Sequence, residues 1–244
     1  MKKITIIMLM MVCTIISASA QKKYVLLAGV SNYGVADRED LNLSNTITDV
    51  KELKKVFDQQ KATVSLITGK NVTPENIERK LKAIIKLAKS EDQIIFCFSG
   101  HGAPGALICY QLQPLFYENL SKILVDAKTK KVFCFIDACH SGSAVEAAEE
   151  YAGVKGANAV YCIACRANEI SRENHMMGRS LFFHALYKGL RGKADFNGDK
   201  KVTLLELFKY AHNDVISRTN DSAYPQHPQL IGSSSLYDTV ITKW

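Results

Sequence analysis

Two short apolar runs, each ending in small residues beside a reactive side chain, constrain this chain more than anything else in it. Lys131 to Ser143 reads KVFCFIDACHSGS, and Gln93 to Gly105 reads QIIFCFSGHGAPG. Each begins as a β-branched and aromatic strand and stops at a turn of small residues, the first at Cys139 and the second at His101. Neighbouring strands of a parallel sheet present their C-terminal ends on one edge, so the two side chains can meet although they are far apart in sequence. Cys139 is therefore the candidate nucleophile and His101 its general base. His140 is a rival base, but adjacent residues direct their side chains apart, which favours His101. A serine hydrolase is not expected, because the chain contains no G-x-S-x-G elbow.

The rest of the chain supplies the other layers. Lys22 to Val30 (KKYVLLAGV) is a continuous apolar run, the pattern of a strand covered on both faces. A polar stretch from Ser31 to Asn42 reads as a loop. Ile47, Val50, Leu53, Val56 and Phe57 recur at helical spacing, capped from Ser44, Asn45 or Thr46 and ending near Gln59. Ala62 to Ile67 is a second strand. Thr73 as N-cap, Pro74 at the first helical position and Glu75 behind it open another helix through Ile77, Leu81, Ile84, Ile85 and Leu87. A weaker helix is expected between Pro114 and Asp126, a mobile Ala/Glu-rich segment from Val145 to Tyr151, a strand from Ala159 to Ala164, and a buried helix from Leu181 to Leu190. This alternation of strands and helices predicts an α/β domain with a mostly parallel sheet covered by helices on both faces. No linker or repeat divides residues 21–244, which read as one domain.

Composition bounds the setting. With 244 residues, 47% hydrophobic and 23% charged, the chain is long enough for a sizeable core and is not disordered. Residues 1–20 carry Lys2 and Lys3, an apolar core from Ile4 to Ile16, and Ser17-Ala18-Ser19-Ala20. That is the pattern of a signal peptide cleaved after Ala20, which implies export to the periplasm or the medium and no stable membrane insertion afterwards. The net charge of +7 is mild, and no cluster of basic residues interleaved with aromatics points to nucleic acid. Cys97, Cys134 and Cys162 lie between large apolar residues and read as small hydrophobes. Cys162 and Cys165 form a C-x-x-C, but residues three apart on a strand face opposite ways, so no shared metal is expected.

A second constellation lies at Asp195 to Glu206, DFNGDKKVTLLE. Asp195, Asn197 and Asp199 occupy positions one, three and five of a twelve-residue calcium loop, Lys201 offers its carbonyl at seven, and Glu206 stands at twelve. Lys200 occupies position six, where such loops carry glycine, and its left-handed backbone costs about 1 kcal/mol. The expectation is an EF-hand-like loop inserted between helices and holding a structural calcium, with no cofactor needed for catalysis.

The strand-then-SGHG and strand-then-DACHSG pair resembles the caspase-like cysteine peptidases, the group of caspases, metacaspases and clostripain-like enzymes. The likeness spans most of residues 21–244, including LLAGVSNYG, the helix containing Asp49, and CIACRANEISRE leading to Ser180-Leu181-Phe182. It implies a caspase-like fold and an exported bacterial member of the group, with His101 as general acid/base and Cys139 as nucleophile. The N–H groups of Gly102 and Cys139 would form the oxyanion site. Asp137 matches the position that lines the pocket for the residue preceding the scissile bond, and a carboxylate there favours Arg or Lys. Metacaspases usually carry a second acid shortly after the strand ending near Cys165, where this chain has Arg166-Ala167-Asn168. Glu169 and Glu173 are candidates for loop or pocket contacts, His227 in YPQHPQLIG for a structural role, and Lys155 for self-cleavage. The partner implied is a protein or peptide substrate. The alternative is a non-catalytic, calcium-binding module of the same fold that recognises peptides.

Overall fold

The structure, a computed structural model, describes residues 21–144, 159–171, 173–174 and 179–244. The expected signal peptide, Lys155 and the Ala/Glu-rich segment lie outside the described residues. The elements follow in chain order: β1 (Lys23–Gly29), α1 (Thr46–Gln59), β2 (Thr63–Thr68), α2 (Pro74–Leu87) and β3 (Gln93–Ser99). Three short strands come next, β4 (Gly102–Ala103), β5 (Ala106–Ile108) and β6 (Pro114–Phe116), then α3 (Tyr117–Leu124), β7 (Lys131–Asp137) and β8 (Ala159–Ile163). The two-residue strands β9 (Glu173–Asn174) and β10 (Arg179–Ser180) precede α4 (Leu181–Lys188), β11 (Lys201–Thr203), α5 (Leu204–Thr219), β12 (Gln229–Ile231) and β13 (Val240–Lys243).

The principal sheet has six strands in the order β12-β8-β7-β3-β1-β2. Every pairing in it is parallel except that of the edge strand β12, which runs antiparallel to β8. The reason lies in the unbroken apolar runs. Alternate residues of β1, β3 and β7 point to opposite faces, and both faces are covered. Leu26, Phe96, Phe98, Cys134 and Ile136 pack with Ile77, Leu81 and Ile84 of α2 and Leu120 of α3. Val25, Leu27, Ile95, Cys97, Phe133 and Phe135 pack with α1, α4 and α5 through Leu53, Phe57, Phe182, Phe183, Leu207 and Ala211. Phe96 and Phe133 are fully buried, so truncation of either to Ala costs about 3–5 kcal/mol.

Helix starts follow their local chemistry. Thr73 caps α2 by accepting from Asn76 N at 3.2 Å, with Pro74 at the first helical position. The expected helix from Pro114 begins instead as β6, because Pro114 to Phe116 pair with Ala106 to Ile108, and helix starts only at Tyr117. The helix expected to reach Leu190 ends at Lys188 and widens into a looser turn over Gly189–Lys193, where Gly192 takes φ +104°. Within the closing segment, Gln229 to Ile231 pair with β8 between Pro228 and Gly232, so those breakers delimit a short edge strand rather than preclude one.

Candidate active site

The strand register brings the cysteine and the histidine together. Ser99 of β3 lies opposite Asp137 of β7, and Gly100 N donates to Asp137 O at 3.1 Å just beyond the last paired residues. His101 and Cys139 each stand two positions further on, on adjacent parallel strands at the same edge. Their turns touch: a Cβ placed on Gly102 would stand 2.1 Å from Cys139 O. Only glycine permits this approach. Both side chains line one cleft of about 500 Å³, together with Ser99, Ile170, Ser171 and Ser180.

His101 is held from the loop after β1. Its Nε2 lies 2.7 Å from Leu41 O, and a carbonyl oxygen can only accept, so Nε2 carries the proton and Nδ1 keeps its lone pair in the neutral ring. The Tyr33 ring stacks on the imidazole at 4.8 Å between centroids, and the Tyr33 hydroxyl accepts from His101 N at 2.6 Å. Tyr33 is itself buried, which fixes the stack. The segment read as an unassigned loop therefore sets the tautomer and orientation of the His101 ring.

The Cys139 thiol donates to Ser171 O at 3.8 Å. Burial pushes its pKa above the ordinary thiol value, and the Asp137 charge adds to this. A raised pKa favours the protonated thiol, so any attack by Cys139 would need a base to take that proton. His140 does not line the cleft. Its backbone is left-handed at φ 55°, its Nδ1 lies 2.7 Å from Ala167 O, and its N–H donates to Glu169 O.

Beneath the cleft sit two buried carboxylates. Asp137 is 4% exposed and accepts from the hydroxyls of Ser171 and Ser180 and from Phe183 N at 3.3 Å. Ser180 also caps α4 by accepting from Phe183 N at 3.1 Å, so the cap residue and the acid are one network. Asp49 of α1 is 3% exposed, and its Oδ2 accepts from Ser99 Oγ at 3.5 Å and from Ser180 N at 3.3 Å. Buried carboxylates persist only where donors surround them. Asp49 thus lies one hydrogen bond behind Ser99 and Ser180, which line the cleft.

The remaining candidates fall elsewhere. Glu169 accepts from His227 N at 2.8 Å and faces His227 Nδ1 at 2.6 Å, tying the loop after β8 to the closing segment. Glu173 belongs to β9, and Lys155 lies outside the described residues. Cys165 is buried, with its thiol 3.4 Å from Ala138 O and 3.5 Å from Ser141 Oγ, on the turn that carries the nucleophile.

The Asp195–Glu206 loop folds on its own donors. Asp195 Oδ1 accepts from Gly198 N and Asp199 N, Asn197 Oδ1 from Asp199 N, and Asp199 Oδ1 from Lys201 N. Lys200 takes the left-handed φ of 62° expected of position six. Glu206 at position twelve turns back to Thr203 in a capping box that starts α5. Among the described residues no three His, Cys, Asp or Glu side chains are gathered to hold a metal ion. The last carboxylate of the loop, Glu206, is engaged in the cap, and no catalytic step is assigned to calcium.

Comparison with known proteins places these observations. A family model described as the caspase domain matches residues 22–239. Metacaspase-3 of Arabidopsis thaliana is 26% identical over 153 residues, which are 51% of this chain and 41% of that protein. The chain thus spans well under half the length of that curated relative. The crystal structure of protein GSU0716 from Geobacter sulfurreducens superposes with a TM-score of 0.66 at 15% identity, covering 91% of this chain and 99% of that one, a likeness of fold alone.

Proposed function

Because the chain belongs to the caspase-domain family, we propose that it is a cysteine endopeptidase that cleaves protein or peptide substrates after Arg or Lys. The observation that supports this best is the shared register of His101 and Cys139, with the imidazole fixed by Leu41 O so that its lone pair is on Nδ1. In this reading Nδ1 takes the Cys139 proton as the sulfur attacks the scissile carbonyl carbon. The oxyanion so formed is held by the N–H groups of Gly102 and Cys139. Each such donor contributes about 2.7–4 kcal/mol to barrier lowering in comparable sites. The imidazolium then protonates the leaving amine, and water hydrolyses the thioester with His101 again as base.

Specificity rests on charge. Asp137 and Asp49 place two carboxylates under a cleft whose floor is lined by serine hydroxyls, a setting that favours a cationic side chain before the scissile bond. The same reading has the enzyme exported after removal of residues 1–20. Among the described residues no helix is long and apolar enough to cross a membrane.

The test is direct. Residues 21–244 are assayed with fluorogenic peptides bearing Arg, Lys, citrulline or Asp before the reporter. Turnover of the Arg and Lys peptides, lost in Cys139→Ala and in His101→Ala, is the expected result. Equal turnover by Cys139→Ala, or no turnover of any peptide by a chain that binds peptide tightly, would overturn the assignment, and the second outcome would favour the non-catalytic module.

A further inference from the structure

The edge of the principal sheet opposite Cys139 and His101 carries a feature the proposed reaction does not use. β1, β3 and β7 begin there side by side, with Lys23 opposite Gln93 and Gln93 opposite Lys131. With Lys22, Lys61 and Lys243 these residues surround a cleft of about 730 Å³. Seven strand residues at ~3.3 Å each place it roughly 20 Å from the candidate active site. Every charged residue in its lining is a lysine.

Among the described residues none of the five ammonium groups forms an ion pair, and Lys131 Nζ donates only to Glu91 O at 3.4 Å. Lys23 is partly buried, and its Nζ donates to Ile241 O at 2.7 Å. Burial first, and the nearby Lys243 charge second, pull its pKa down to about 8, the mark of a desolvated cation lacking a counter-charge. The acids closest in sequence form no ion pair with these lysines: Asp92 accepts from the backbone N–H groups of Lys22 and Lys89, and Glu91 from Ser90 Oγ. Gln93 is 1% exposed and donates through Nε2 to Gln21 Oε1 and Val240 O, while its Oε1 has no hydrogen-bond partner. The cleft therefore combines several positive point charges with a buried acceptor awaiting a donor.

We infer that this cleft binds a small polyanion bearing at least two phosphoryl groups, which the lysines hold, and a hydroxyl that donates to Gln93. Phosphoryl chemistry is favoured over a lone carboxylate because several charges must be matched at once. Compact ammonium groups suit phosphate oxygens, whereas planar recognition of a carboxylate calls for Arg, which the lining lacks. The volume falls within the range of small-molecule sites, about 300–1,000 Å³.

The probe is inorganic pyrophosphate, added to residues 21–244 and followed by thermal unfolding. A saturable rise in melting temperature is expected, exceeding that produced by sodium chloride at equal ionic strength. Lys61→Met, on the exposed rim, should weaken apparent affinity several-fold without lowering the melting temperature of the free protein. The pair Lys23→Met and Lys243→Met should abolish the rise, and Cys139→Ala should leave it unchanged, which separates this site from the peptidase reading. Chloride matching pyrophosphate, or an undiminished rise in Lys61→Met, would overturn the proposal. Sedimentation with vesicles containing a phosphatidylinositol bisphosphate, reversed by pyrophosphate, would assign the phosphoryl groups to a lipid headgroup. Pyrophosphate affinity without vesicle binding would assign them to a soluble ligand.

Discussion

Asp137→Asn is the sharpest test of the proposed specificity, because it changes charge while nearly preserving shape. Asp137 lies buried under the cleft, and a substrate guanidinium seated above it is taken to stand on the order of 5 Å from its carboxylate. At an effective dielectric of about 20, two unit charges at that distance attract by roughly 3 kcal/mol, or about 100-fold in kcat/KM. An amide keeps one acceptor oxygen for Ser171 or Ser180, so the fold should lose only about 1–3 kcal/mol, from the weaker hydrogen bonds. The assay compares kcat/KM for an Arg peptide with that for its citrulline counterpart, which has the same length but no charge. The expected result is a fall of roughly 100-fold in the Arg-to-citrulline ratio, with thermal unfolding still cooperative. Asp49→Asn, one hydroxyl further from the cleft, should lower the ratio by about tenfold, as its charge acts over a longer distance. If both peptides lost the same factor, Asp137 would be ordering the turn rather than reading charge, and the electrostatic argument would fail.

Four further outcomes follow from the same geometry. Gly102→Ala places a Cβ 2.1 Å from Cys139 O and must displace the nucleophile, so kcat should fall about 100-fold, and unchanged kcat would refute the close approach. Because the Cys139 pKa is raised, iodoacetamide labelling of the free enzyme should keep accelerating above the pH at which an ordinary thiol levels off, and a plateau below pH 8 would contradict this. Glu169 is held below the usual carboxylate range because the N–H groups of Arg166 and His227 and the His227 ring outweigh the opposing effect of burial. A depressed folded pKa means the stabilisation is present above the unfolded pKa and is lost as pH falls through the folded one, so Glu169→Gln should cost about 1–2 kcal/mol near neutrality. In urea titrations that difference should shrink under acid conditions, and a gap independent of pH would refute the charge-based account. For the proposed calcium site, millimolar calcium should raise the melting temperature and Asp195→Asn with Asp199→Asn should remove the rise; no shift would exclude the site.

Much of the fold was legible because burial leaves a strong trace. β1, β3 and β7 are covered on both faces and appear in the sequence as continuous apolar runs. Thr73-Pro74 fixed the start of α2 because capping is a local reaction between neighbours. What stayed hidden depended on distant partners. β6 and β12 are three-residue strands stabilised by pairing with β5 and β8, and residues this few carry no periodicity of their own. Leu41 serves His101 through its carbonyl, a group that every residue possesses, so its side chain gives no sign of the role.

Asp49 is different, since its signal was present in the spacing. Thr46, Asp49, Val50, Leu53, Val56 and Phe57 are the buried residues of α1, and they form a single i, i+3, i+4, i+7 stripe. The apolar members identified the helix, and the one carboxylate among them, Asp49, entered only as a marker of the family likeness and was given no role. A charge on the buried stripe is costly unless donors meet it, so its presence there implies donors at the end of a neighbouring element. β3 ends at Ser99, and the stripe of α1 packs on β1 and β3; the hydroxyl that meets Asp49 is therefore at the sheet edge that carries His101. Two acids from separate elements, joined through Ser180, are then what the proposed cation preference rests on, and a search of the sequence near Cys165 alone could not supply them.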